Sequence, residues 1–154
     1  GALDVLLAPI GGGGLIAGNC LAIHQLSPAT AVYGVEAEVA NDTFLSLQKG
    51  ERVTIPVPPT IADGMQVTSP GEMTFAIMRE HLAGVLLVSE EEIKNAVRVV
   101  LERMKILIEP TGAVPVAAAL KNEKGWRGQR IGIIVSGGNV DLKKLAEILT
   151  GESL

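Results

Sequence analysis

Leu3-Asp4-Val5-Leu6-Leu7-Ala8-Pro9-Ile10-Gly11-Gly12-Gly13-Gly14-Leu15-Ile16-Ala17-Gly18 passes from an apolar β-type segment, through four consecutive glycines, into a helical pattern. Four glycines in a row cost conformational entropy, so the backbone there must approach something closely or adopt positive φ. Peptide N–H groups in such a turn, at the head of the following helix, form a cradle for a phosphate. The stretch points to a phosphate-bearing cofactor at the mouth of a parallel sheet. The plainer reading is a tight strand-to-helix connection with no ligand.

Outward from this stretch, strands and helices alternate. Residues 3–8 read as a strand, and Leu15, Ala17, Leu21, Ala22 and Leu26 keep helical spacing up to Ser27-Pro28. Residues 31–36 form a second strand, completing a right-handed βαβ unit. Asn41-Asp42 caps a short helix that Gly50 closes, and Pro56, Pro58 and Pro59 mark a surface excursion. Ser69-Pro70-Gly71-Glu72 reads as a cap with a first-turn proline, opening a helix to about Leu82. Residues 84–88 have the apolar composition of a strand buried on both faces. Ser89 and Glu92 form a capping box. The helix they open carries Ile93, Val97, Val100, Leu101 and Met104 on one face and a Glu90–Lys94 pair on the other. A helix over 111–121 has Pro115 in its first turn, residues 131–135 form the last strand, and a helix over 141–149 closes the chain. This is an α/β architecture: an open, mostly parallel twisted sheet with helices on both faces. Ligands in such sheets sit beyond the carboxyl ends of the strands, which brings residues 11–14 and Ser136-Gly137-Gly138-Asn139 to one rim.

At 154 residues the chain has the length of a single domain, and 47% hydrophobic residues with 3% aromatics fit an aliphatic core of this class. A net charge of −4 leaves no basic footprint for nucleic acid or an anionic membrane. Cys20, the only cysteine, excludes an internal disulfide and sits in an apolar helical pattern, as core. No leader or membrane span is visible, so the cytoplasm is the default location. With no initiator Met and a strand starting at once, the chain reads as a piece of something longer.

The glycines admit a second cofactor. Gly12-x-Gly14-x-x-x-Gly18 follows a strand, and Glu36 ends the next one, where a ribose-binding acid of a dinucleotide site would stand. Four contiguous glycines differ from that spaced pattern, and it gives the Ser136–Asn139 rim no role. A third possibility is a module that binds a partner and performs no chemistry.

Taken together, Gly11-Gly12-Gly13-Gly14-Leu15, Thr60-Ile61-Ala62-Asp63-Gly64, Glu109-Pro110-Thr111-Gly112 and Ser136-Gly137-Gly138-Asn139 resemble the C-terminal half of a fold-type II pyridoxal-phosphate enzyme. The threonine dehydratase (threonine ammonia-lyase) and serine racemase family is the nearest in pattern. The resemblance implies that Gly11, Gly12, Gly13, Gly14 and the Leu15 amide hold the cofactor phosphate and that Ser136 hydrogen-bonds the pyridine nitrogen. Gly64 would lie near the ring, Glu109 near the pyridine edge behind the residues in contact, and Asn139 would shape the rim. A hydroxyl at Ser136 need not keep the nitrogen protonated, which suits β-elimination of a hydroxy amino acid such as threonine or serine to a 2-oxo acid and ammonia.

The resemblance also implies a divalent cation held by Glu36, the Ala40 carbonyl and Asp42, hard oxygen ligands suited to Mg²⁺ or Ca²⁺. Without a metal, Glu36 is a strand-end acid and Asp42 a helix cap. The lysine that binds the cofactor aldehyde and the small domain that grips the substrate would lie N-terminal to this chain. Lys49, Lys94, Lys105, Lys121, Lys124, Lys143 and Lys144 read as solvated charges. The chain alone is therefore expected to be inactive, with an open sheet edge and exposed apolar surface. Family members form dimers or tetramers, so a homo-oligomer is expected. His24 and His81 carry no catalytic pattern, and Trp126 reads as packing over a turn.

Overall fold

Residues 2–151 are described by the computed structural model. Side chains alternate across a strand, and β1 (Val5–Pro9) uses both sides. Val5 and Leu7 enter the larger core cluster, while Leu6 and Ala8 enter the smaller one. A strand apolar on both faces belongs in the middle of a sheet covered by helices on each side. β1 pairs in parallel with β2 (Ala31–Ala37) and with β4 (Ile131–Ile133), and β2 pairs in parallel with β3 (Gly84–Val88). The order is β3-β2-β1-β4, which is the parallel α/β sheet expected.

On one face α1 (Gly14–Leu26) packs against α3 (Glu72–His81), around Ile16, Cys20 and Met78. On the other, α5 (Pro110–Lys121) lies against the sheet and is covered by α4 (Glu90–Val99), which in turn meets α6 (Leu142–Thr150). Trp126 is buried there with its ring 5.4 Å from that of Tyr33, the packing role expected of it. α1 also carries Leu15, Leu21 and Leu26 exposed, and β4 has no strand beyond it among the described residues. Helix α2 (Asp42–Lys49) follows β2 and is closed by Gly50.

Several expectations require correction. β3 is an edge strand with only Leu86 and Val88 buried, because β2 is its one neighbour among the described residues. β4 ends at Ile133 and not at residue 135, although the Ile134 N–H still reaches the Leu7 carbonyl at 2.9 Å. Lys94 pairs with Glu91 at 2.5 Å, one turn position nearer than Glu90, whose carboxylate accepts the Ile61 N–H instead. α4 passes into a π turn over Val100–Met104, which shifts the helical phase and turns Met104 out to solvent. The first-turn proline of α5 is Pro110. Pro115 sits in the second turn, where it removes a backbone donor but buries its ring. Pro70 lies outside α3, whose N-cap is Gly71.

Candidate functional site

The chain steps from β1 to β2 and β3 on one side, then returns to β4 on the other. The crevice beyond the carboxyl ends of β1 and β4 is thus a topological switch point, where open parallel sheets hold ligands. Pro9, Gly11, Gly12, Gly13, Gly14, Leu15, Gly64, Thr111 and Ser136 line a cavity of about 190 Å³ there. Segments up to 127 residues apart, from Pro9 to Ser136, are brought together by the crossover connections.

α1 opens onto this cavity without a side-chain cap or a first-turn acid. Its first intrahelical bond is from the Ala17 N–H to the Gly13 carbonyl, at 2.9 Å. The amides before it, those of Gly14, Leu15 and Ile16, are the unsatisfied donors at the positive end of the helix. Gly13 takes φ 90°, a left-handed conformation, and a Cβ there would lie 2.8 Å from Thr74 Oγ1 and 2.9 Å from Met78 Cε. At Gly11 a Cβ would overlap the Gly64 carbonyl oxygen. By contrast, a Cβ on Gly12 or Gly14 meets no protein atom within 4 Å, so these two leave the space in front of the donors open. The donors, their geometry and the room fit a phosphate.

Short polar contacts join the segments of the rim, and one of them reaches this loop. The Gly64 N–H donates to Thr111 Oγ1 at 3.0 Å. Thr74 Oγ1 donates to the Gly12 carbonyl at 2.8 Å. Glu109 donates its N–H to the Gly137 carbonyl at 3.1 Å and accepts the Asn139 N–H on its carboxylate at 3.0 Å. Glu109 and Asn139 line a neighbouring cavity of about 350 Å³ with Asp63, Lys144 and others, which shares Gly64 and Thr111 with the first. The sequence reading missed Thr74 and Thr111 as functional positions. Thr111 lies within one of the quoted motifs, whereas nothing in the sequence marks Thr74, whose contact spans 62 residues.

None of the lysines lines the glycine cavity. Lys144, in the neighbouring one, is engaged with the Ile61 carbonyl at 2.9 Å and with Asp63 at 2.6 Å.

Glu36 is fully buried at the end of β2, and its carboxylate accepts the Thr43 N–H at 3.1 Å and the Phe44 N–H at 2.9 Å. It satisfies the head of α2, whose first residues lack a side-chain cap from Asn41. Glu36 is therefore withdrawn from any ribose, against the dinucleotide reading. Asp42 is also buried and its Oδ2 has no hydrogen-bond partner. Burial pushes the Glu36 carboxyl up to about 8, helped by the Asp42 charge and opposed by the two amides. Burial likewise raises Asp42 to about 6. Among the described residues no three His, Cys, Asp or Glu side chains form a metal cluster. A cation here would take two carboxylates and the Ala40 carbonyl, and the orphaned Asp42 oxygen is the observation that fits one.

His24 and His81 meet with ring centroids 4.7 Å apart beside buried Cys20, whose thiol burial raises to about 11. Such a thiol is inert core.

Comparison with known proteins places this geometry. Residues 1–137 match the family model described as pyridoxal-phosphate dependent enzyme. The chain is 45% identical over 152 residues to an L-threo-3-hydroxyaspartate ammonia-lyase of Saccharomyces cerevisiae, covering 99% of this chain and 47% of the relative. To a serine racemase of Dictyostelium discoideum it is 47% identical, covering 96% of this chain and 46% of that one. A solved threonine deaminase from T.th. superposes with a TM-score of 0.87 at 45% identity, over 91% of this chain and 50% of the other. The chain spans about half the length of these relatives. An uncapped helix head behind contiguous glycines, a facing serine and these matches agree, and the chain belongs to the pyridoxal-phosphate-dependent enzyme family.

Proposed function

We propose that this chain carries the phosphate-holding and ring-nitrogen side of an ammonia-lyase acting on small β-hydroxy amino acids, L-threonine or L-serine. The observation that carries this reading is the switch-point cavity, in which the glycine loop, Gly64, Thr111 and Ser136 converge. The amides of residues 11–15 bind the phosphate, and the Ser136 hydroxyl donates to the ring nitrogen. Pyridoxal phosphate, when bound, supplies the electron sink that makes the substrate Cα–H acidic. A hydroxyl, unlike a carboxylate, leaves that sink weak, which is enough for elimination of a β-hydroxyl. The lysine that takes the Cα proton comes from outside the residues described.

The neighbouring cavity supports a neutral substrate side chain. It is lined by Asp63, Glu109 and Asp141 against the single cation Lys144, which Asp63 already engages. Among the described residues that line this cavity, a second substrate carboxylate finds no free cation. Similarity to the hydroxyaspartate ammonia-lyase favours a second reading, in which that cation comes from the remainder of the protein. Release of 2-oxo acid from L-threonine, L-serine and L-threo-3-hydroxyaspartate, in the protein that joins this chain to its lysine-bearing segment, decides between them. The expected result is a kcat/KM higher for threonine or serine. A higher value for hydroxyaspartate selects the second reading, and no release from any of the three ends the ammonia-lyase assignment.

We also propose Mg²⁺ or Ca²⁺ at Glu36, the Ala40 carbonyl and Asp42, on the strength of the orphaned Asp42 oxygen and the oxygen-only donor set.

A further inference from the structure

We propose that Thr74, at the head of α3, is a positioning residue that aims the phosphate-binding amides of the glycine loop. The inference rests on the reading of residues 11–15 as the phosphate cradle. The C=O of one residue and the N–H of the next belong to one planar unit and, in a trans peptide, point opposite ways. Fixing the direction of the Gly12 carbonyl therefore fixes that of the Gly13 N–H. Two donors from the start of α3 hold this carbonyl: the Thr74 hydroxyl at 2.8 Å and the Gly71 N–H at 3.3 Å. Both come from the α3 side, which sends the Gly13 N–H the other way, away from α3.

Glycine needs such an external hold more than other residues. Gly12 and Gly14 have open space where a Cβ would be, and four glycines in succession have no side chains of their own to restrain the peptide planes. Of the two donors, the Gly71 N–H is the longer contact, and the Thr74 hydroxyl has only one alternative acceptor, the Gly71 carbonyl at 3.1 Å. Thr74 also closes off the far side of Gly13, where a Cβ would lie 2.8 Å from its oxygen. The hydroxyl thus does two things at once: it satisfies the Gly12 carbonyl and it locks one peptide of the cradle in its anion-binding orientation. Pre-set amides bind an anion without first losing rotational freedom.

The test is calorimetric titration of the chain with pyridoxal phosphate and with pyridoxal, which lacks the phosphate, in Thr74→Val and Thr74→Ser. Val keeps the shape and removes the donor, while Ser keeps the donor. Affinity of the Val variant for pyridoxal phosphate should fall about tenfold, the size of one lost hydrogen bond. Its affinity for pyridoxal should be unchanged, and the Ser variant should bind both as the unaltered chain does. A Val variant that binds pyridoxal phosphate normally, or loses both ligands equally, overturns the role of Thr74. If the Val variant does not fold, Thr74→Ala against Thr74→Ser gives the same contrast: tighter phosphate binding by Ser supports the proposal and equal binding overturns it. If the unaltered chain fails to bind pyridoxal phosphate more tightly than pyridoxal, it is the cradle reading that falls, and the proposal with it.

Discussion

Gly14→Asp should abolish pyridoxal phosphate binding while leaving the chain folded. Gly14 is the first residue of α1 and is exposed, and a Cβ there meets no protein atom within 4 Å. An acid in the first turn of a helix complements the dipole, so the unfolding temperature should hold or rise. The same carboxylate would occupy the donors and repel the phosphate. A unit charge about 4 Å away costs on the order of 4 kcal/mol near a protein surface. Roughly a hundredfold or greater loss of affinity in a calorimetric titration is the expected result. Normal binding by a folded Gly14→Asp chain would remove the phosphate from this loop. Gly13 is the wrong place for this test, because φ 90° and the contacts with Thr74 and Met78 would damage the fold as well.

At the buried acid pair the expected effect is on stability. In EDTA, Glu36 and Asp42 titrate near 8 and 6 in the folded chain, against ordinary values of 4.5 and 3.8. Between those limits the native state holds more protons than the unfolded one, so stability falls as pH rises from about 4 to about 8. The proposed Mg²⁺ or Ca²⁺ would take the place of those protons. At pH 8 and a hundredfold excess over Kd the ion should add about 2.7 kcal/mol, roughly 5–10 °C in unfolding temperature for a chain of this size. Asp42→Asn removes one buried charge and one ligand. Its metal-free form should be at least as stable as the unaltered chain at pH 8, and the ion should no longer raise its unfolding temperature. An unaltered chain indifferent to both ions would leave Glu36 as the acid that caps α2 and nothing more.

Much of this was legible in the sequence, for reasons specific to each segment. The glycine run, the alternation of strands and helices and the four motifs were enough for the sheet and for the rim that joins residues 11–14 to Ser136, because crossover direction and the switch-point rule are general. Edge and centre were not legible for β3: its apolar residues suit either place, and only the strand order decides. The phase shift at Val100 and the partner of Glu90 depend on a π turn and on Ile61, 29 residues away. Thr74 and Thr111 escaped notice because a lone threonine at a helix head is common. Their hydroxyls acquire a role only when the fold sets them against Gly12 and Gly64. Glu36 stood out in the sequence as a candidate metal or ribose ligand, while its burial beneath the head of α2 was visible only in the structure.

On the proposed reading, the switch-point amides hold the cofactor phosphate. Backbone amide resonances of the isotope-labelled chain, followed during titration with pyridoxal phosphate and, separately, NAD, test it most directly. Saturable shifts for pyridoxal phosphate should be largest at residues 11–16 and at Ser136, with none for NAD. Shifts centred elsewhere, as on the larger cavity between α4 and α6 that Lys94, Lys143 and Glu147 line, or saturation by NAD at the glycines, would contradict it.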